Sequence, residues 1–410
     1  MALSPAWWRA ADDDARRALL AASLGWMLDS FDVMLYALLL ATLIRDLDMT
    51  PATGGLLASL TLVASAAGGI LFGVIADRYG RTRALIWSVL IYSVFTAACG
   101  FAQSVLQLGV FRLFLGLGMG GEWASGAALV SETWPAEHRG KALGLMQSAW
   151  AIGYALAAIV TAIVLPRWGW RAVFFVGILP AFITLWIRRS VREPQLWQRA
   201  RAAPVNAGRA LAEIFRPPLR ALTLWVTVMN AFTMFAWWGF NSWAPAYLEL
   251  PADRGGVGLG IEYRTQILVL MQTGMWFGYV SFGFISDGIG RKRAYVIYLL
   301  VAATLLVAYA STRRPDVLLA LGPFLAFSAT GYFSGFGAVT AEIYRTPIRA
   351  TAQGFTYNIG RLASAAAPFV VGTLAQTRGF RLAFMTAAAA FLCAAAAWTF
   401  IPETKGRALE

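Results

Sequence analysis

The stretch Gly73-Val-Ile-Ala-Asp77-Arg-Tyr-Gly80-Arg81-Thr-Arg83 returns as Gly283-Phe-Ile-Ser-Asp287-Gly-Ile-Gly290-Arg291-Lys-Arg293, displaced by 210 residues. In each copy an apolar run ends in an acid, a glycine and a cluster of basic residues. The same displacement carries Glu132, Arg139 and Gly144 onto Glu342, Arg349 and Gly354. It also carries Gly169-Trp-Arg171 onto Gly379-Phe-Arg381, and Glu193 onto Glu403. One offset holding over so much of the chain predicts a duplication, two copies of one unit joined end to end.

Composition says where those copies live. The chain has 410 residues, 59% hydrophobic and 13% charged, with a mean hydropathy of +0.62. A soluble domain must cover its surface with polar groups, so a chain this long and this apolar belongs in a bilayer. The net charge of +13 would suggest nucleic acid in a soluble protein. Here the basic residues sit mainly between apolar runs, where membrane topology puts them, and no nucleic acid partner is expected. Cys99 and Cys393 lie inside apolar runs, and His138, the single histidine, lies in a polar loop. These offer no metal spacing and no disulfide framework, so neither metal nor cofactor is expected. Asp12, Asp13 and Asp14 spoil the basic region that a cleavable signal peptide needs.

A membrane-crossing helix takes about 20 mostly apolar residues. Twelve such runs can be marked, near 18–44, 53–76, 84–102, 107–131, 142–165 and 172–188, then 220–247, 264–286, 294–312, 317–341, 351–376 and 382–401. Lys and Arg concentrate in alternate loops, among them Arg16, Arg17, Arg78, Arg81, Arg83, Arg139, Lys141, Arg291, Lys292 and Arg293. The positive-inside rule then places both termini in the cytoplasm. The expected fold class is an all-α integral membrane protein, with twelve transmembrane helices in two six-helix pseudo-symmetric halves. Residues 1–188 and 220–410 are the halves. Residues 189–219, with Pro194, Pro204, Pro217 and Pro218, form a cytoplasmic linker expected to be a solvated connector.

Charges inside spans cost at least a few kcal/mol each, so each needs a reason. Asp29 and Asp32 are three apart and share one face of span 1, near the midplane. Glu122 and Arg112 lie in span 4, and Arg361 lies deep in span 11, with Tyr357 four residues earlier on the same face. Mutual neutralisation is the bland reading, and Arg112 suits it as a partner for a carboxylate. Arg361 differs, because its half of the chain has no intramembrane acid, and a solute carboxylate could pair with it. Three acids against two arginines leave one acid in excess, which is cheapest to bury protonated and so is suited to proton coupling. Asn230, Asn241, Trp237 and Trp238 in span 7 are further cavity candidates, as are Gln272 and Trp276 in span 8. Gln147 and Tyr154 in span 5, Tyr332 in span 10 and Asn358 in span 11 complete them. Aromatic side chains in spans more often pack or face lipid. Trp7, Trp8, Trp168 and Trp170 read as interfacial belt residues.

Two parallel six-span halves are the arrangement of the major facilitator superfamily, and the motifs resemble that family's residue by residue. Gly73 to Arg81 resembles its G-x-x-x-D-R-x-G-R signature, and Arg112-Leu-Phe-Leu-Gly116-Leu-Gly-Met-Gly120 its R-x-x-x-G-x-x-x-G element. Trp26-Met-Leu-Asp29-Ser-Phe31-Asp32 and Gly120-Gly-Glu122-Trp123 are similar to elements of proton symporters for sialate, lactate and aromatic acids. That likeness implies proton coupling through Asp29, Asp32 and Glu122, and a substrate carboxylate held by Arg361. Pro402-Glu-Thr-Lys-Gly406, loosely echoed by Arg192-Glu-Pro-Gln, resembles the sugar-porter ending and keeps a neutral polyol open.

A gating role is expected for Asp77, Arg81, Asp287, Arg291, Glu132, Arg139, Glu342 and Arg349, with Arg112 structural. The aspartates are expected to bridge to basic residues of the facing half. Gly69, Gly73, Gly116 and Gly120 are expected to let helices approach and slide. The function these readings imply is proton-coupled import of a small organic anion, a monocarboxylate, by alternating access, with no catalysis. Substrate-binding candidates are Arg361, Tyr357, Asn358, Asn241, Gln272, Tyr332 and Gln147. The alternatives are a transporter of a neutral sugar or a drug and, more remotely, a solute-sensing receptor. The expected partners are an anionic solute, protons and the bilayer, for a monomer in a bacterial-type inner membrane.

Overall fold

Long apolar runs with few glycine or proline breaks inside them can satisfy every backbone N–H and C=O within one helix, as a bilayer demands. The computed structural model describes residue 8 and residues 11–135, 138–194 and 212–405, and no strand occurs among them. In chain order the first half contributes α1 (Asp13–Asp46), α2 (Pro51–Tyr79), α3 (Arg81–Cys99), α4 (Val105–Thr133), α5 (Arg139–Val176) and α6 (Pro180–Ser190). The second contributes α7 (Leu219–Asn241), α8 (Ala244–Glu249), α9 (Ile261–Ile289), α10 (Arg291–Ala310), α11 (Pro315–Thr330) and α12 (Phe336–Ile343). It closes with α13 (Thr346–Ser364), α14 (Ala366–Arg378) and α15 (Phe380–Ala397).

Ten stretches among the described residues are long and apolar enough to cross a bilayer. One of them, Lys141–Ser190, has 50 residues and would run about 75 Å as a single helix, over twice the hydrocarbon thickness. It is two spans. Gly169, at φ 73 and ψ 176, breaks the helix, and the chain turns again at Gly177. The eleventh predicted span is also in two pieces, α13 and α14, which meet at Ala365. All twelve predicted runs therefore fall on helix.

The duplication is visible in backbone geometry. Gly80 and Gly290 both sit at positive φ, 114 and 104, and so do Gly169 and Gly379, at 73 and 82. These are conformations that a side chain resists, and they fall at matching points of the two copies. Helix contacts repeat as well. A side chain at Gly68 would strike the carbonyl of Leu117, and one at Gly278 would stand 2.5 Å from the carbonyl of Phe327, the same pair moved by 210. Gly120 likewise abuts the Ser65 carbonyl, but nothing lies within 4 Å of a side chain placed at Gly73. The close approach of α2 and α4 thus runs through Gly68 and Gly120, and Gly73 takes no part.

Two compact units divide the described residues. The first comprises Met1–Leu35, Val63–Ala157 and Val164–Pro204, and the second Tyr36–Leu62, Ala158–Ile163 and Val205–Glu410. The end of the linker is less solvated than expected. Ile214 is buried against Tyr344, Ile348 and Ala352, and Glu213 accepts a 2.9 Å bond from Arg345. The linker's middle, residues 195–211, lies outside the described residues. So does Trp7. Trp168 is exposed as a belt residue should be, whereas Trp170 is buried and the Arg171 guanidinium lies 4.2 Å from its ring centroid.

Candidate functional site

In the first unit, α1 carries Asp29 and Asp32 and α4 carries Arg112 and Glu122. All four are buried, with exposures of 0%, 1%, 3% and 0%. The local packing explains how they are held. Ser30 donates to the Trp150 carbonyl at 2.8 Å, the Trp26 and Trp150 rings meet at a tilt with their centroids 4.6 Å apart, and Gly153 lies against the Met27 carbonyl. These contacts fix the face that α1 turns to α5, and the aspartates follow from the helix period. Glu122 reaches α1, since its Oε1 stands 2.6 Å from where a side chain on Gly25 would begin. Asp32 lies against Gly177, with its Oδ1 3.0 Å from the corresponding point.

Tyr92 of α3, a residue the sequence analysis passed over, meets α1 at Gly25, the glycine that Glu122 also approaches. It is fully buried, its hydroxyl donates to the Gly25 carbonyl at 3.3 Å, and it is within electrostatic reach of Asp29, Glu122 and Asp32. Cys99, one end of the same helix, is within reach of both Arg112 and Asp32. Three acids, one arginine and one phenol thus share a site that α1, α3 and α4 build. None of Asp29, Arg112 and Glu122 stands alone. Nearby, Gln147 accepts from the Trp123 indole at 3.3 Å.

In the second unit, Arg361 sits in the last turn of α13 and is 5% exposed. Among the described residues no carboxylate lies within ion-pairing distance of its guanidinium. Ser364 donates to its carbonyl at 2.7 Å, where the helix ends. Tyr357 packs its ring against Phe336, 5.7 Å away. Gly360 lets α13 approach α7 beside Asn230, which donates to the Thr356 carbonyl at 3.4 Å. Gln272 of α9 and Asn241 of α7 are buried, and the Gln272 side-chain oxygen has no hydrogen-bond partner among the described residues. Asn358 spends its amide on the Gly354 carbonyl of its own helix, at 3.0 Å. Tyr332 lies in an aromatic cluster with Tyr295 at 5.8 Å and Phe333 at 4.9 Å, which gives it a packing reason to be there.

The basic turns form a matched pair of networks. Arg81 donates to Glu132 at 3.0 and 3.1 Å, and Arg291 donates to Glu342 at 3.2 and 3.4 Å. Glu193 accepts from the backbone N–H groups of Thr82 and Arg83, each at 3.2 Å. Glu403 accepts from those of Arg291 at 2.9 Å and Lys292 at 3.2 Å. Each glutamate therefore caps the start of a helix, where unpaired N–H groups favour an anion. Partial burial works to raise the pKa of Glu403, but the N–H groups of Lys405, Arg291, Thr404 and Lys292 outweigh it and hold the pKa below 4.5. With a lowered folded value, its share of stability is in place above pH 4.5 and fades as pH falls through that lower value. Asp287 pairs with Arg291, a residue of its own half. That partner stands one helical turn away. The side chains of Asp77, Arg139 and Arg349 lie outside the described residues.

Residues 22–261 and 252–410 match the Major Facilitator Superfamily. The chain belongs to that superfamily. It is a multi-pass membrane transporter, not an enzyme. Similar proteins include a probable 4-methylmuconolactone transporter of Cupriavidus pinatubonensis, 35% identical over 99% of this chain and 94% of that one. A cis,cis-muconate transport protein of Acinetobacter baylyi is 32% identical over 94% of each. Among solved structures, the xylose transporter of Escherichia coli in a partially occluded inward-open conformation superposes with a TM-score of 0.77. It is 19% identical, with 97% of this chain and all of that one covered. At that identity it speaks for the fold alone.

Two more residues escaped the sequence analysis. Glu249 and Arg264 form an ion pair in the second unit, and both stand at span ends, where charge is ordinary. Only the pattern of an acid closing one span and a cation opening the next could have drawn attention to them.

Proposed function

We propose that this transporter imports a small organic anion, a monocarboxylate, together with protons, by alternating access across a bacterial-type inner membrane with both termini cytoplasmic. The observation that carries the reading is Arg361, a buried cation beside which no described carboxylate stands. A buried guanidinium left without an anion is expensive, and a solute carboxylate supplies the missing partner in a planar, two-pronged geometry. A cationic drug would be repelled there, and a neutral sugar would leave the charge uncompensated. The relatives named for a muconate and a muconolactone support an organic-acid substrate. Asp29, Asp32 and Glu122 supply the titratable groups for coupling, with Arg112 as their structural counter-charge.

The test is a melting-temperature screen of purified protein against small mono- and dicarboxylic acids, neutral sugars and organic cations. A true ligand at a hundredfold excess over its Kd stabilises by about 2.7 kcal/mol, enough to see. Acids are expected to raise the melting temperature. Stabilisation by sugars or cations alone would overturn the reading.

The two Arg–Glu networks are proposed to set the rate of conformational change. They lie at helix ends, many residues from Arg361 and the buried acids. Glu342→Gln removes a charge-assisted contact of about 1.5 kcal/mol and is expected to slow turnover by about tenfold while Kd stays within a few-fold. Initial uptake rates measured beside equilibrium binding check this. A large loss of affinity at normal turnover would count against it.

A further inference from the structure

The ion pair of the second unit has no part in the reading above. Arg264, near the start of α9, is 2% exposed, and its guanidinium pairs with Glu249, the last residue of α8. A cation this buried needs an anion, so a plain staple between α8 and α9 would explain it. One contact goes further. The other oxygen of Glu249 accepts a 3.4 Å hydrogen bond from the hydroxyl of Thr42, near the end of α1.

Thr42 belongs to a segment, Tyr36–Leu62, that is part of the second unit although it comes from the first copy of the repeat. Its other contacts repeat the pattern. The Ala52 N–H donates to Gln376 at 3.3 Å, and the Phe369 N–H donates to Ser59 at 3.2 Å. The Pro368 carbonyl occupies the place where a side chain on Gly55 would have to stand, and the Pro51 carbonyl lies 2.7 Å from where one on Gly372 would begin. Every one of these contacts joins residues of the first copy to residues of the second. On α2 they lie at the end opposite Gly80. If one copy rocks against the other around a fixed site, contacts of this kind must part whenever that end opens.

We infer that Glu249 is the latch of this closed end, with Thr42 as its keeper and Arg264 as a positioning residue. Arg264 stays with Glu249 in both states. Opening therefore releases one hydroxyl and a few backbone groups to water and leaves no buried charge without a partner. An ion pair broken at each cycle would add several kcal/mol to the barrier; this arrangement avoids that cost. The inference rests on alternating access alone, and on neither the substrate nor the protons of the reading above.

The test needs no substrate. Ser59→Cys, a near-isosteric reporter buried at the seam, is made in a Cys393→Ala background, Cys99 being fully buried. The rate of labelling of the purified protein by a bulky thiol reagent then reports how often the seam opens. Thr42→Val keeps the shape and removes the hydroxyl. It is expected to raise the rate about fivefold, the shift that one net hydrogen bond of about 1 kcal/mol carries. Thr42→Ser keeps the hydroxyl and should label at the parent rate. If valine also labels at the parent rate, Glu249 and Arg264 only staple α8 to α9 and the inference is wrong. If serine labels as fast as valine, the methyl group and not the latch holds the seam, and it is wrong again.

Discussion

Arg361→Ala is expected to abolish binding of the transported acid, with Kd weakened by more than about a hundredfold. Two charge-assisted hydrogen bonds, at about 1.5 kcal/mol or more each, set that lower bound. A competing effect has to be weighed first. Arg361 is in the last turn of α13, where the partial negative charge of a helix end favours a cation by about 0.3–1 kcal/mol, and up to about 2 in buried settings. The effective penalty for burying a cation is several kcal/mol. The helix end alone therefore does not account for the residue, and an anion is still wanted. Arg361→Lys keeps the charge but loses the rigid fork, so it should lose most transport while retaining weak binding. Calorimetric titration of the purified variants with the best acid from the melting screen decides the matter. Binding by the alanine variant at the parent affinity would remove Arg361 from the site.

Much of this fold could be read before any coordinates. The 210-residue displacement marks the two copies, and Gly80 and Gly290, each free of a side chain that would resist positive φ, reappear at 114 and 104. Hydropathy finds runs and not breaks, so the interruption at Ala365 within the eleventh span is invisible to it. The site was legible where charge sits in an apolar run, as at Asp29, Asp32, Glu122, Arg112 and Arg361. Tyr92 carries no such mark, because a tyrosine in a span is unremarkable until the fold brings it to Gly25 beside Glu122. Asn358 shows the opposite fault. Its amide reads as a ligand in one dimension and turns out to bond its own helix, since a carbonyl four residues back is always in reach. Glu249 and Arg264 fall at span ends, where a positive or negative residue excites no suspicion. The burial of Arg264 alone distinguishes the pair, and burial is a property of the packed chain.

Removing the acid that carries the proton is expected to eliminate accumulation driven by a pH gradient while leaving substrate exchange intact. Importing a monovalent anion against an inside-negative potential costs about 2.3 kcal/mol per 100 mV, and one accompanying proton cancels that charge. His138, the single histidine, lies in a loop, so within the spans the carriers must be carboxylates. Asp29, Asp32 and Glu122 are the three that cluster, all of them buried, with one arginine, Arg112, among them. One positive charge beside three buried carboxylates leaves acid in excess, and a buried carboxyl is cheaper to hold neutral than charged, which is why proton coupling is proposed for this cluster. Occupancy by protons can then be linked to the state in which the substrate is loaded. Asp29→Asn, Asp32→Asn and Glu122→Gln each fix one position in its neutral shape. For the coupling residue, uptake against a gradient should fall to background while the counterflow of labelled for unlabelled substrate persists, because exchange moves no net proton. For a residue that only tunes its neighbour, accumulation should survive with its pH dependence displaced. Both activities are measured in liposomes, at a fixed inside pH and a stepped outside pH. Accumulation retained in all three variants, or parent uptake that ignores the imposed gradient, would mean that the anion enters without protons and that these acids serve packing alone.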